Sequence, residues 1–198
     1  MRSNICKIEK GTRDLGAILK ESERVAEYNG LSHKQGLQLR LLCEELDGML
    51  PNIIGDFDGD FWIDFEDGVC KINVSIKIPD FTVEKKDELI GVSKNKKNAA
   101  AVGIVGKIRC AVESFILSEE AIGAFDMAAG SFCMAGGCSE HIDYSYAWSL
   151  DQYRRSVKQE ETEAWDELEK SVIASAADDV TVGVKGKRAD IIIVKKFA

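Results

Sequence analysis

Proline, histidine and long apolar runs are scarce in this 198-residue chain, and each scarcity excludes a class of architecture or site. Only two prolines occur, Pro51 and Pro79, so a proline-rich linker is absent and we expect one domain over residues 1–198. No apolar run approaches the roughly 20 residues that a membrane span requires, so we expect no membrane partner. The first ten residues are charged and lack the apolar stretch of a secretory signal, which predicts a cytoplasmic location.

An excess of positive charge is also missing. The chain carries 26 basic and 34 acidic residues, a formal net charge of −8. Nucleic acids and anionic membranes bind basic surfaces, so we expect neither as the main partner. Hydrophobic residues make up 45% and charged residues 30% of the chain, which is the balance of an ordinary globular domain.

Two local clusters contain residues that ligate metals, and neither has a complete ligand set. Cys133, Cys138 and His141 lie close in sequence, but a structural zinc site takes four ligands and the only other histidine is His33. The acidic run 56–67 spaces aspartates as a calcium loop does, yet its sixth residue is phenylalanine where that loop needs glycine. We therefore predict no metal site, with a sensor built on the cysteine cluster as an alternative.

Hydrophobic periodicity predicts an α+β fold. Apolar residues at three- and four-residue steps indicate helices, and two of them begin at capping residues: Asp14, and Ser32 with Gln35 in a capping box. Alternation on both sides of Asp67-Gly68 predicts a β-hairpin. The predicted elements are helices over 14–29, 32–50, 99–117, 118–129, 148–158 and 160–177, hairpins over 61–78 and 180–195, and a loop over 130–145.

Strand pairs that follow each other without helical crossovers predict an antiparallel or mixed sheet. We therefore expect a two-layer α/β sandwich, in which a mixed, mainly antiparallel sheet is covered by helices on one face.

Glu44 has an unusual position in the second helix. Leu37, Leu41 and Gly48 form a second apolar side of that helix beside Glu44, and a helix that is apolar on two sides is usually central. Burial would disfavour the charged carboxylate and suit Glu44 to proton transfer. The alternative is an exposed glutamate at the helix edge beside Glu45, and position alone favours neither.

A lysine-rich stretch precedes the helix predicted over 99–117. It contains Lys94, Lys96, Lys97 and Asn98. Cations beside the free N–H groups of a helix N-terminus can hold a phosphate. The alternative is a solvated loop, which is the commoner outcome for a short charge run.

These pieces, in this order, resemble the GHKL ATPase superfamily, which includes histidine-kinase ATPase domains and anti-sigma-factor kinases. The family's Glu-x-x-x-Asn helix motif matches Glu44 to Gly48, with glycine in place of asparagine. Its strand-end aspartate matches Asp80, and its second glycine box is similar to the segment that contains Gly103 and Gly106. The resemblance covers residues 14–117 as a nucleotide-binding core, with 118–177 as a helical insertion and 178–198 as a closing hairpin.

The resemblance implies an adenine-nucleotide site. Glu44 would orient or deprotonate the attacking nucleophile and Asp80 would recognise adenine. Four further residues would complete the ATP site: Lys97, Asn98, Gly103 and Gly106. Gly48 cannot bind the magnesium ion that the family's asparagine binds, so we expect nucleotide binding without efficient turnover. If active, the chain would be an ATPase or protein kinase with Glu44 as the base. The alternative is a non-catalytic regulatory module on the same scaffold that contacts a protein partner through 118–177.

Overall fold

A computed structural model of the chain shows six strands and five helices among the residues that it describes. The elements are β1 (Cys6–Glu9), α1 (Leu15–Tyr28), α2 (His33–Ile54), β2 (Asp58–Glu66), β3 (Val69–Lys77), α3 (104–109), β4 (Ser145–Ser149), α4 (Leu150–Val157), α5 (Val172–Ala176), β5 (Asp179–Lys185) and β6 (Arg188–Lys196). The described residues are 1–9, 14–54, 57–77, 104–109, 112, 145–157, 171–185 and 188–197.

The strands form one open sheet with the order β1-β2-β3-β6-β5-β4. Each described pairing is antiparallel. The predicted α+β class is therefore confirmed. The described strands contain no parallel pair, so the expected mixture of parallel and antiparallel strands is not seen among them. None of the described helices combines the length and the hydropathy that a membrane span requires.

The central hairpin forms for the reason that its sequence predicts. Along β2, Phe61, Ile63 and Phe65 are buried, and the residues between them are half-buried. The turn places Asp67 at a φ of 50° and Gly68 at a φ of 75°. Positive φ at both central residues is the geometry whose twist matches that of the flanking strands, which explains the Asp-Gly pair.

One face of the sheet is covered by the five helices that the structure describes. Register places the buried residues of neighbouring strands opposite each other, as in the row Phe61, Val74, Ile191 and Val182. These side chains are at most 1% exposed and share one core cluster with residues from every described helix. The two-layer arrangement follows, because each helix buries one side against the same sheet face.

The starts of the first two helices confirm the predicted capping residues. The Asp14 side chain accepts a hydrogen bond from the Ala17 N–H at 3.0 Å. The backbone N–H of Ser32 donates to Gln35 Oε1 at 2.9 Å, and the Gln35 N–H donates to Ser32 Oγ at 3.4 Å. Both helices therefore begin where side chains satisfy N–H groups that have no partner within the helix.

A buried carboxylate ties α1 to the segment before β1. Glu21 accepts hydrogen bonds from the backbone N–H and the side-chain amide of Asn4, at 3.2 and 3.1 Å, and from Arg24 at 2.8 Å. Burial on its own would raise the pKa of Glu21, but these hydrogen bonds together outweigh it and hold the pKa below its ordinary value.

The structure differs from the predicted elements at both edges of the sheet and in the segment before β5. Neither β1 nor β4 was expected: both are short edge strands, and the segment of β4 was assigned partly to a loop and partly to a helix. The helix predicted over 160–177 does not run through Ser171, whose backbone is extended. The Ser171 side chain instead caps the N-terminus of α5 by accepting a hydrogen bond from the Ala174 N–H. Arg154 donates hydrogen bonds to carbonyl oxygens at the end of α5. The segment 118–177, expected as a helical insertion, thus contributes a strand to the sheet.

Candidate functional site

Glu44 lies at the exposed margin of α2. Its side chain is 39% exposed, and its Oε1 atom is 3.1 Å from Arg40 Nε. Arg40 also contacts Glu23 of α1, with Nη1 2.5 Å from Oε1. In the described part of the chain, Glu44 is therefore a half-exposed, ion-paired carboxylate at the edge of α2 and is not enclosed by apolar side chains.

The second apolar side of α2 is not covered by the described part of the chain. Leu37 is 52% exposed and Leu41 is 39% exposed. Both lie on the same side of α2 as Glu44 and Gly48, because residues three and four apart share a helix side. The core instead packs against a different side that includes Leu39, Leu42 and Leu46.

Gly48 stands in open space, at the position where the resemblance implies a magnesium ligand. It is exposed, and a Cβ atom added there would meet no described atom within 4 Å beyond its own helix backbone and chain neighbours. Its neighbour Asp47 is 7% exposed, because one residue rotates the side chain by about 100° toward the covered side of α2. Among the described residues of α2, none provides a magnesium ligand beside Glu44.

Of the predicted nucleotide-binding residues, the structure describes only Gly106. It is a buried residue of α3, between the buried side chains of Ile104 and Ile108. These side chains belong to the core that α2 also enters, so Glu44 and Gly106 lie on helices of one layer. The other predicted site residues lie outside the described part of the chain: Asp80, Lys97, Asn98, Gly103, and the cluster Cys133, Cys138 and His141.

Asp64, considered above only as part of the acidic run 56–67, lies in a polar cluster on the opposite face of the sheet. Asp64 accepts hydrogen bonds from Arg2 at 2.7 and 3.1 Å, from Trp62 Nε1 at 2.9 Å and from Asn73 Nδ2 at 3.2 Å. Burial would raise the pKa of Asp64, but the donors and the positive charges outweigh it and lower the pKa. The sequence signal was the polar half of the β2 alternation, which places these side chains on one face.

The Asp64 cluster borders a cavity of about 670 Å³ that is also lined by Glu66, Asp67 and Lys71. Both carboxylate oxygens of Asp64 already accept hydrogen bonds. A carboxylate with donors on both oxygens is a poor base and a poor metal ligand, because binding a proton or cation would displace those donors. We therefore assign this cluster to stabilisation of the sheet rather than to chemistry.

The described cysteines behave as small hydrophobic residues. Cys43 and Cys70 are fully buried free thiols. Burial raises the pKa of Cys70 to about 12 and raises the pKa of Cys43 well above its ordinary value. Both thiols are therefore neutral at physiological pH and lack the thiolate that nucleophilic chemistry requires. The described part of the chain contains no cluster of three or more residues that could hold a metal.

No protein-family model matches this chain, and neither does any curated protein or solved structure. The resemblance to the GHKL superfamily therefore remains an expectation from the sequence.

Proposed function

We propose that this chain is an ATP-binding regulatory protein of the GHKL type that binds adenine nucleotide without efficient hydrolysis. The observation that carries the proposal is the position of Glu44 and Gly48 on one exposed side of α2, in a helix layer that packs on the sheet. The family's motif places its catalytic glutamate and its magnesium ligand at these two positions.

Three features support nucleotide binding in particular. The helix that carries Glu44 precedes a hairpin whose second strand ends at Lys77, three residues before Asp80. The segment that contains Gly106 forms helix α3, which packs into the same core as α2. Glu44 remains partly exposed, so its carboxylate is accessible from solvent.

Two features argue against turnover. The described residues do not fit a magnesium site of the family's kind, because Gly48 has no side chain and Asp47 is directed toward the covered side of α2. Magnesium stabilises developing phosphate charge by several kcal/mol, so its loss removes a large part of the catalysis. In addition, Arg40 Nε lies 3.1 Å from Glu44 Oε1, so an attacking nucleophile would have to compete with Arg40 for that oxygen.

Calorimetric titration with ATP and ADP, in magnesium and in EDTA, tests the proposal. We expect binding of similar affinity in both buffers, and we expect Asp80→Ala to abolish it. Glu27→Ala removes an exposed carboxylate from α1 and is the matched control, which should bind as the unmodified chain does. An absence of heat at millimolar nucleotide would contradict the proposal.

The exposure of Leu37 and Leu41 favours a second candidate, a non-catalytic protein-interaction module on the same scaffold. Two exposed leucines one turn apart form an apolar stripe that a partner helix can cover. The same titration separates the two functions, because an interaction module gives no heat with either nucleotide.

A further inference from the structure

Strand β1 forms one edge of the sheet, and no other described strand pairs with its outer side. Edge strands present unpaired N–H and C=O groups that another chain can bind. Ile5, immediately before β1, is 59% exposed, so a large apolar side chain also lies beside this edge. The edge therefore has both the hydrogen-bonding groups and the apolar surface that strand addition uses.

The charges of β1 select one register for pairing with a second copy. Two identical strands can pair antiparallel about a twofold axis normal to the sheet, and residues that lie opposite each other then point to the same face. Side chains alternate between faces along a strand, so an odd-numbered residue can lie opposite only an odd-numbered residue, and an even-numbered one opposite only an even-numbered one. One such register places Lys7 opposite Lys7 of the other copy, and another places Glu9 opposite Glu9. Only the register centred on Ile8 places Lys7 opposite Glu9, twice by symmetry.

We propose that a second copy of this chain pairs its β1 antiparallel with β1 in the register centred on Ile8, which joins two six-stranded sheets edge to edge. The inference is independent of the proposed nucleotide site. The pairing is isologous, so it closes at a dimer and leaves no β1 edge for further growth.

The charges around this edge fit the added strand. Within one copy Glu9 lies directly opposite Asp58, whose carboxylate pairs with Lys77 Nζ at 2.9 Å. Lys7 Nζ is 2.6 Å from Asp60 on the same face. In the dimer, Lys7 of one copy would lie across the new strand pair from Glu9 of the other. On this face of the joined sheets, Lys7 of each copy would then lie between two carboxylates, Asp60 of the same copy and Glu9 of the other.

The test is a concentration series of the full chain in sedimentation velocity, at low salt, with three charge variants. We expect a weak, concentration-dependent dimer, because the three β1 residues that pair on each side (7–9) bury a small interface. Lys7→Glu and Glu9→Lys each convert two attractive pairs into two repulsive ones, so each should raise the dimer dissociation constant by about tenfold. The double variant K7E/E9K restores both opposite-charge pairs and should restore the dimer.

Arg155→Glu is the matched control, because it reverses an exposed charge that pairs with Asp151 on α4, away from β1. It should leave association unchanged. Hydrogen exchange of the unmodified chain provides a readout that needs no variant: the β1 amides should gain protection with rising concentration. A monomer at every concentration, a double variant as weak as the single ones, or a dimer without added protection in β1 would each overturn the proposal.

Discussion

Replacement of Gly48 by alanine should stabilise the protein. Gly48 lies within the 22-residue helix α2, and an added Cβ has open space among the described residues. Glycine within a helix is about 0.8–1.0 kcal/mol less favourable than alanine, so Gly48→Ala should raise the free energy of unfolding by about 1 kcal/mol. For a chain of this size that corresponds to a rise in Tm of about 3 °C, measurable by calorimetry.

Gly59→Ala is the opposite control. A Cβ atom added at Gly59 would lie 2.5 Å from the carbonyl oxygen of Ser75, a backbone atom of the paired strand. The strands must separate locally to admit it, so this variant should lose about 1–3 kcal/mol. A Gly48→Ala variant that is destabilised as well would refute the assignment of open space around Gly48.

Gly48→Asn extends this prediction to function. Asparagine returns an amide oxygen four residues after Glu44, where the family binds magnesium, and gains a few tenths of a kcal/mol in helix propensity over glycine. If the nucleotide proposal holds, the variant should bind ATP more tightly in magnesium than in EDTA. Gly48→Ala is the control, because it changes the helix without adding an oxygen. Equal affinities for Gly48→Asn in both buffers would contradict the assignment of position 48.

Three further outcomes follow from the described contacts. Glu21→Gln should lower the free energy of unfolding by about 1–2 kcal/mol at pH 7. Because the pKa of Glu21 is lowered in the folded state, its charged carboxylate stabilises the fold above about pH 4.5, and this stabilisation fades as the pH falls below that. Urea unfolding curves of the variant and the unmodified chain should therefore converge in acid. Trp62→Phe removes one donor to Asp64 and should lower stability by about 1 kcal/mol in the same assay. Cys43 and Cys70 should resist alkylation at pH 8 in the folded protein and react in denaturant, which peptide mass spectrometry can follow.

Local signals in the sequence were sufficient for the elements that have them. The Asp67-Gly68 turn, the alternation of Phe61 and Ile63, and the capping box from Ser32 to Gln35 each depend on residues that are close in the chain. Strand β1 has four residues, too few for alternation to stand out, and it forms because β2 offers a free edge after 48 intervening residues of chain. Non-local pairing of that kind leaves no local pattern.

The candidate site was predictable only in part for a related reason. Helical periodicity places Leu37, Leu41 and Glu44 on one side of α2, but it does not state which side the sheet covers. The core covers the side of α2 that carries Leu39 and Leu42, so Leu37 and Leu41 on the other side remain exposed. Arg40 is four residues from Glu44 on the same helix, so their ion pair could have been expected from spacing alone.

Under the nucleotide proposal, the difference between positions 47 and 48 decides whether α2 can support hydrolysis. Asp47 and Gly48 are adjacent in α2, and successive residues of a helix are rotated by about 100°. The Asp47 carboxylate therefore lies toward the covered side of α2, while Gly48, which has no side chain, lies on the side of Glu44. Had the acid stood at position 48, an oxygen ligand would lie on the side of Glu44 and the argument for turnover would be strong. Under the nucleotide proposal, the acid at position 47 leaves binding to other residues, while the magnesium-dependent step loses its ligand. Binding and hydrolysis can therefore separate within this motif.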